Sequence, residues 1–448
     1  MKNIILLLLF LLAPQSYAAT LADVYQQALI SDPLYQQAIS SRLSTQEGLP
    51  ISFAGLLPTL TAQVNPYLNK QSISGASATF EAGSITTRGY VVGLNVNQTV
   101  FDFGKVANLL GARALSKQAD AALSAATQDL MVRVAKAYFT ILQDEETLLY
   151  SKANQVWLTK LLDQVKQQYQ VGLKTLTDVY ATQAKYDSAV AQYITADNQV
   201  KNDKENLRVI TGKWYDHINM LSEKFPFITP DPTDIDAWVQ KAQQQNWAVK
   251  AEQYAVSNRL QQIRQQFAGH LPSLEASAGY TNNYAFNSQA LFIENAPLRV
   301  NGITRTVNKN VNLTLNIPLF QGGGTAAEVQ KAKYDYQTEM QALEQTLRNT
   351  INTTRQSYLN ILASISKISA DRQAIKSAQS ALEGMDEGYR VGTKTIIDVL
   401  QQQQSLFDAQ KIYALDRYDY ITNLLILKQA AGTLSGADLE AINQWLQK

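Results

Sequence analysis

"YQVGLKTLTDVY" runs from Tyr169 to Tyr180, and "YRVGTKTIIDVL" runs from Tyr389 to Leu400. The two stretches stand about 220 residues apart and share a frame of Tyr, Val-Gly, Thr and Asp-Val. Each part of that frame has a physical reading. Gly172 and Gly392 suit the left-handed conformation that ends a helix. Thr175 with Asp178, and Thr395 with Asp398, have the T-x-x-D spacing of a capping box that starts another. The phrase therefore predicts a tight turn between two helices, written twice in one chain.

The flanking sequence supports long helices. From Lys105 to Tyr169 there is no Pro, and only Gly111 interrupts. Such a run would span roughly 100 Å at 1.5 Å per residue, more than a globular helix and natural for a coiled coil. After the first turn, Val179, Tyr186, Tyr193, Val200 and Leu207 recur every seven residues. After the second, Val399, Leu406, Tyr413, Tyr420 and Leu427 do the same, doubled by Leu400, Phe407, Ala414 and Ile421. Heptads wrap a helix around a partner. Each turn is thus the tip of a helical hairpin.

Further matches recur at offsets of about 214 to 220. "GLLPTL" from Gly55 returns as "GHLPSL" from Gly269, and "VGLNVNQTVFDFG" from Val92 as "VNLTLNIPLFQGG" from Val311. "AYFTIL" from Ala137 returns as "SYLNIL" from Ser357, and Gly212 as Gly432. The chain divides into a first repeat over 20–212, a connector over 213–235 containing "FPFITPDPTD", a second repeat over 236–432 and a tail over 433–448. Residues 1–19, "MKNIILLLLFLLAPQSYAA", read as a secretory signal peptide. Their apolar run is too short for a membrane span.

Within each repeat, two segments alternate with period two. Leu60, Ala62, Val64 and Leu68 are apolar, as are Tyr90, Val92, Leu94 and Val96, with Gly93, Asn95, Asn97 and Thr99 between the latter. Leu274, Ala276, Ala278 and Tyr280 continue the pattern, as do Val307, Val311, Leu313 and Leu315 among Asn308, Asn310, Asn312 and Thr314. One face is apolar and the other polar but uncharged, as in a barrel with lipid outside and water inside. A soluble β-sandwich with one solvated face would alternate likewise. Tyr67, Phe101, Phe103, Tyr284 and Phe320 are candidates for an interfacial girdle. Polar loops are expected at 70–87 and 286–307, on the outer side.

Four strands cannot close a barrel, and open edges do not survive in lipid. The strands must be pooled among copies; three copies give twelve. Composition narrows the remaining functions. The 448 residues include no Cys and two His, with a net charge of +1. That excludes disulfides and thiol chemistry and offers no basic patch for nucleic acid. His217 and His270 lack the companions of a metal site. "QGGGT" at Gln321 lacks the spacing of a phosphate loop and reads as a strand-to-helix exit. No cofactor, metal site or enzymatic constellation is expected.

The paired "LP-L" segments, strand-to-helix exits and tips resemble the TolC-type outer-membrane efflux channels over nearly the whole mature chain. The resemblance implies an α+β membrane protein. It would be a homotrimer with a twelve-stranded transmembrane β-barrel, four strands from each chain, continued by a periplasmic coiled-coil tunnel. It implies outer-membrane lipid around the barrel, a periplasmic adaptor, and an inner-membrane pump or ABC transporter, as in tripartite efflux or type I secretion. It also implies roles for single residues. Asp398 would join a ring of carboxylates at the pore constriction, although the same residue can simply cap its helix. The second ring of the family falls on Gln401, where the carboxylate is missing. Asp178 would hold the tip shut against Tyr389 and Lys394, the last lacking the fork of an Arg. A periplasmic coiled-coil scaffold without a channel is the alternative; the four alternating segments argue against it.

Overall fold

The computed structural model describes residues 18–73, 83–222, 225–293 and 296–446. Most of the expected leader, 1–17, and the loop tips with Ser74 and Asn295 lie outside the described residues. Ala19 lies inside them and is tied into the fold: it pairs with Ile218, and its N–H donates to the His217 carbonyl at 3.0 Å. The helices are α1 (Leu21–Ser31), α2 (Pro33–Gln46), α3 (Gly48–Ala54), α4 (Phe103–Gln170), α5 (Leu176–Thr211), α6 (Ile235–Gln245), α7 (Trp247–Phe267), α8 (Gly324–Arg390), α9 (Ile396–Ala430) and α10 (Gly436–Asn443). The strands are β1 (Thr59–Ile73), β2 (Gly83–Phe101), β3 (Ser273–Ile293) and β4 (Ala296–Asn316). Among the described residues, no helix is long and apolar enough to cross a membrane.

The chain falls into two compact units. One comprises 43–119 and 252–343 and contains the sheet. Its strands lie in the order β1-β2-β3-β4, each antiparallel to the next, so the two repeats meet along β2 and β3. The expected loops at 70–87 and 286–307 are mostly strand. β1 and β2 pair out to Ile73 with Gly83, and β3 and β4 out to Ile293 with Ala296. Backbone groups pair whatever the side chains carry, so a ladder can run on after the apolar pattern has ended.

The register sorts the side chains as the alternation predicts. Leu60, Val96, Ala278 and Val311 form one cross-strand row of the apolar face. Two aromatics need comment. Tyr67 pairs with Gly89 and belongs to the polar face, where its hydroxyl bonds Asn283 Oδ1 at 2.9 Å; it is not a girdle residue. Gly89 is required there, since a Cβ would collide with the Tyr284 backbone carbonyl and come within 2.9 Å of the Tyr67 oxygen. Phe101 reaches the apolar face because a bulge between Thr99 and Phe101 shifts the register and sets it opposite Leu274. The exit from β4 to α8 passes through Gly322 and Gly323, both left-handed at φ 63° and 82°.

The other unit comprises the residues up to Arg42, 120–251 and from Glu344. Its core joins α1, the long helices, the connector and α10 through Leu21, Leu130, Ile141, Ile361, Tyr420 and Leu439. The Tyr138 hydroxyl lies 3.1 Å from the Ala19 carbonyl and 2.9 Å from that of Asn219, fastening the chain start to the connector. Leu221 pairs with Leu446, so connector and tail meet. α1 and α2 are separate because Asp32 ends one and Pro33 begins the other. The doubled seam of α9 is buried at Val399, Leu400, Leu406, Phe407, Ala414, Tyr420, Ile421 and Leu427. In α5 the expected seam is buried at Val200 and Leu207, and beside it runs a second buried line, Thr182, Ala189, Ala196 and Asp203, also seven apart but small or polar.

Candidate functional site: the two helical tips

Both tips are built alike. In the first, the Gly172 N–H donates to the Tyr169 carbonyl at 3.0 Å and the Leu173 N–H to the Gln168 carbonyl at 2.8 Å. In the second, the Gly392 N–H donates to the Tyr389 carbonyl at 3.1 Å and the Thr393 N–H to the Gly388 carbonyl at 2.8 Å. Gly172 and Gly392 have φ of 78° and 82°, where a side chain would be strained. Both capping boxes form. Asp178 Oδ2 accepts from the Thr175 N–H at 3.0 Å, and Asp398 Oδ2 from the Thr395 N–H at 2.8 Å. The Thr hydroxyls donate to the same carboxylate oxygens at 2.8 Å in both.

The surroundings differ. Tyr389 is 4 % exposed and packs with Leu158, Leu161, Val165, Ile396 and Val399. Its hydroxyl lies 3.4 Å from Gln168 Oε1, and the Lys174 ammonium stands 3.8 Å from its ring centre. Burial, then the charges of Asp178 and Asp386, push its hydroxyl above the usual tyrosine range. Asp178 is thus close enough to act on Tyr389 through its field, while the hydroxyl's bond within the chain goes to Gln168. Lys394 is exposed, and its backbone N–H donates to the Gly388 carbonyl at 3.1 Å. Asp398 is held below the usual carboxylate range by the Thr395 backbone bond first, then the Thr395 hydroxyl, with a smaller contribution from Lys394. Gln401 is exposed one turn further on.

The hairpins also contain carboxylate pairs that spacing did not reveal. Asp144 of α4 is pushed up to about 7, by burial first and then by its bond with Asp203 of α5; Lys411 and Gln199 oppose the shift. Asp203 is buried and accepts from Gln199 Nε2 at 3.0 Å. Asp371 of α8 is pushed up to about 6, by burial and then by Asp416 of α9, with Lys367 opposing. Asp371 Oδ2 is buried without a donor, and a proton shared with Asp416 supplies one. Each pair joins residues 45 or more positions apart, which no local pattern connects. Among the described residues, no group of three or more metal-binding side chains forms.

A four-stranded sheet with one exposed, mainly apolar face and one polar face, coupled in sequence to two long helical hairpins, defines a subunit of a barrel-and-helix outer-membrane channel. The comparisons agree. The family model described as outer membrane efflux protein matches residues 24–213 and 238–433. The outer membrane protein TolC of Vibrio cholerae is 33% identical over 431 residues, covering 96% of this chain and 94% of that protein. The alkaline protease secretion protein AprF of Pseudomonas aeruginosa is 27% identical over 448 residues, covering 97% and 89%. The crystal structure of the Campylobacter jejuni CmeC outer membrane channel superposes with a TM-score of 0.77 at 16% identity, covering 95% of this chain and 90% of that one. The chain belongs to the outer membrane efflux protein family. It is an outer-membrane, non-enzymatic channel protein with its helical part in the periplasm, and the periplasmic scaffold alternative is set aside.

Proposed function

We propose that three copies of the chain form a passive export duct, gated at the helical tips and working with a periplasmic adaptor and an inner-membrane pump or ABC transporter. The observation that carries this reading is the open sheet. β1 and β4 each have one unpaired edge, and Leu60, Val64, Val311 and Leu313 are exposed on one face. Lipid tolerates apolar side chains but not unpaired backbone. Identical neighbours pairing β1 with β4 remove the edges, and three copies leave a water-filled lumen where two would not. Membership of the outer membrane efflux protein family and similarity to AprF, a protease secretion protein, support both efflux and protein secretion as the class of task.

In this duct Asp178, Tyr389 and Lys394 hold the tips closed, and Asp398 lines the constriction while also capping its helix. Gln401 leaves the ring single. Mass measurement in native detergent, followed by planar-bilayer recording, tests the reading. A heat-labile trimer with small conductance is expected. A stable monomer or dimer would overturn the closed barrel. Tyr389→Phe with Lys394→Ser should raise single-channel conductance without disturbing assembly. Trivalent cations should plug the channel from the helical side, less tightly at high salt. Asp398→Ala should relieve most of that block; equal block in both intact assemblies would reduce Asp398 to a cap.

A further inference from the structure

In strand segments with described side chains the cations are Lys70, Arg88, Arg305 and Lys309, and the one carboxylate is Glu275. Their register is unexpected for a water-filled barrel. Glu275 pairs with Thr99 and Thr314 on the polar face. All four cations fall on the apolar one: Arg88 stands opposite Leu68 and Phe286, Arg305 opposite Tyr284, Lys309 opposite Tyr280, and Lys70 shares its side with Leu68. A cation facing hydrocarbon is destabilising at the bilayer midplane and nearly neutral at an interface. Four on one face, with no described carboxylate beside them, call for an anion.

Their height along the strands fits that need. Lys70 lies about eleven residues beyond Thr59, Arg88 about thirteen before Phe101, and Arg305 about eleven before Asn316. At ~3.3 Å per residue and a tilt of ~40°, eleven residues climb about 28 Å, just past an apolar band of about 25 Å. Lys309, seven residues before Asn316, climbs only about 18 Å by the same measure and stands apart from the other three. The strand ends joined to α4 and α8 face the periplasm, so the cations lie at the outer leaflet.

Arg305 is also braced. Its Nε lies 3.3 Å from Asn282 Oδ1, and its guanidinium stands 5.4 Å from the Tyr284 ring, which stacks on Tyr90 at 4.9 Å. Tyr90 and Tyr284 are register partners, and Arg88 lies two residues from Tyr90 on the same face. The aromatic pair holds one planar fork in place, and Arg88 follows on the same face, with one strand between them and an offset of two residues. Two forks on an apolar wall match phosphate oxygens on a lipid better than they match a carboxylate-bearing soluble ligand.

We infer that Arg88, Arg305 and Lys70, framed by Tyr90 and Tyr284, form a site for the phosphorylated headgroup of an outer-leaflet glycolipid, whose acyl chains lie on the aliphatic rows below. This rests on the outer-membrane barrel reading and adds a ligand to it.

The test uses the assembled full-length protein in detergent, with native mass spectrometry as the readout. The probes are a bisphosphorylated lipid A, its dephosphorylated form, and inorganic phosphate as competitor. Wild type should retain the phosphorylated lipid at least roughly tenfold more than the dephosphorylated one, a difference one well-placed charged contact can supply. Millimolar inorganic phosphate should not displace it, because the acyl chains contribute to binding. Displacement would mean a free-anion site and overturn the lipid assignment. Arg88→Gln with Arg305→Gln should lose most retention, and Arg305→Lys should keep more than Arg305→Gln. Equal retention of both lipids by wild type overturns the site even if a variant fails to assemble. Conductance in the same samples separates this from the channel reading: a conducting protein with no lipid preference refutes the site alone.

Discussion

Tyr169 and Tyr389 open the same phrase and lead into the same turn, yet Tyr169 is 42 % exposed and Tyr389 is 4 % exposed. Seven residues on, Leu176 is 45 % exposed and its counterpart Ile396 only 1 %. The backbone bonds and caps of the two tips nevertheless agree to within a few tenths of an ångström. The turn is therefore fixed locally, by Gly and the T-x-x-D box, while sidedness is fixed by the flanking helix. After the second tip, Val399 and Leu400 are both apolar, and the seam is two residues wide. After the first, Tyr186 is followed by Asp187, Val200 by Lys201 and Leu207 by Arg208, which leaves a narrow seam. A wide seam buries its tip against several neighbours; a narrow one leaves Tyr169, Leu176 and Tyr180 exposed.

The comparison breaks most readily at the tyrosines. Tyr389→Ala should destabilise the second tip by about 3–5 kcal/mol, the cost of truncating a buried aromatic side chain, and speed amide exchange over 389–400. Tyr169→Ala should cost under about 1 kcal/mol, as an exposed change does. The reverse ranking would mean that the burial difference does not govern tip stability.

A smaller effect concerns the paired acids. A carboxyl whose folded value lies above its unfolded one contributes stability at low pH and loses it as pH rises through the folded value. For Asp144 that window runs from about 4 to about 7, and for Asp371 from about 4 to about 6. Wild type should thus lose thermal stability between pH 4 and pH 8. Asp144→Asn should recover on the order of 2 kcal/mol at pH 8, a discounted share of the value of such a shift, and little at pH 4. A parallel pair of melting curves would show that Asp144 and Asp203 do not share a proton.

The caps sharpen the comparison from the other side. Thr175→Ala and Thr395→Ala should cost about 0.5–2 kcal/mol each, as loss of a capping hydroxyl does, and the two costs should match in chemical denaturation. Unequal costs would show that the turns are not independent of their surroundings. Gln401→Asp should have the smallest effect, tightening trivalent-cation block a few-fold by adding charge one turn from Asp398. An unchanged blocking constant would place position 401 off the conduction path.

Much of this was legible in sequence. The hairpin tips follow from "VG" and T-x-x-D, and the four strands from period two. Tyr67 could have been placed correctly, since its odd position groups it with Thr59, Thr61 and Gln63 rather than with Leu60 and Val64. Extending the strands into the expected loops was harder, because the outer ends of both hairpins lack a clean apolar alternation. The bond from Tyr389 to Gln168 and the pairing of Asp144 with Asp203 were not legible. They depend on which helix faces which, and a repeat that reads the same in both copies cannot say.

The pairing of β2 with β3 has a consequence for the order of events in a growing chain. Val96 lies beside Ala278, about 180 residues further along. A contact of that span cannot form until the second half has been made and exported, and such non-local pairings slow folding. Until then β1 and β2 have apolar side chains and an open edge with nothing to add to it. An intermediate of that kind is prone to aggregation. The chain is therefore open to such association for longer than a meander whose strands follow one another directly.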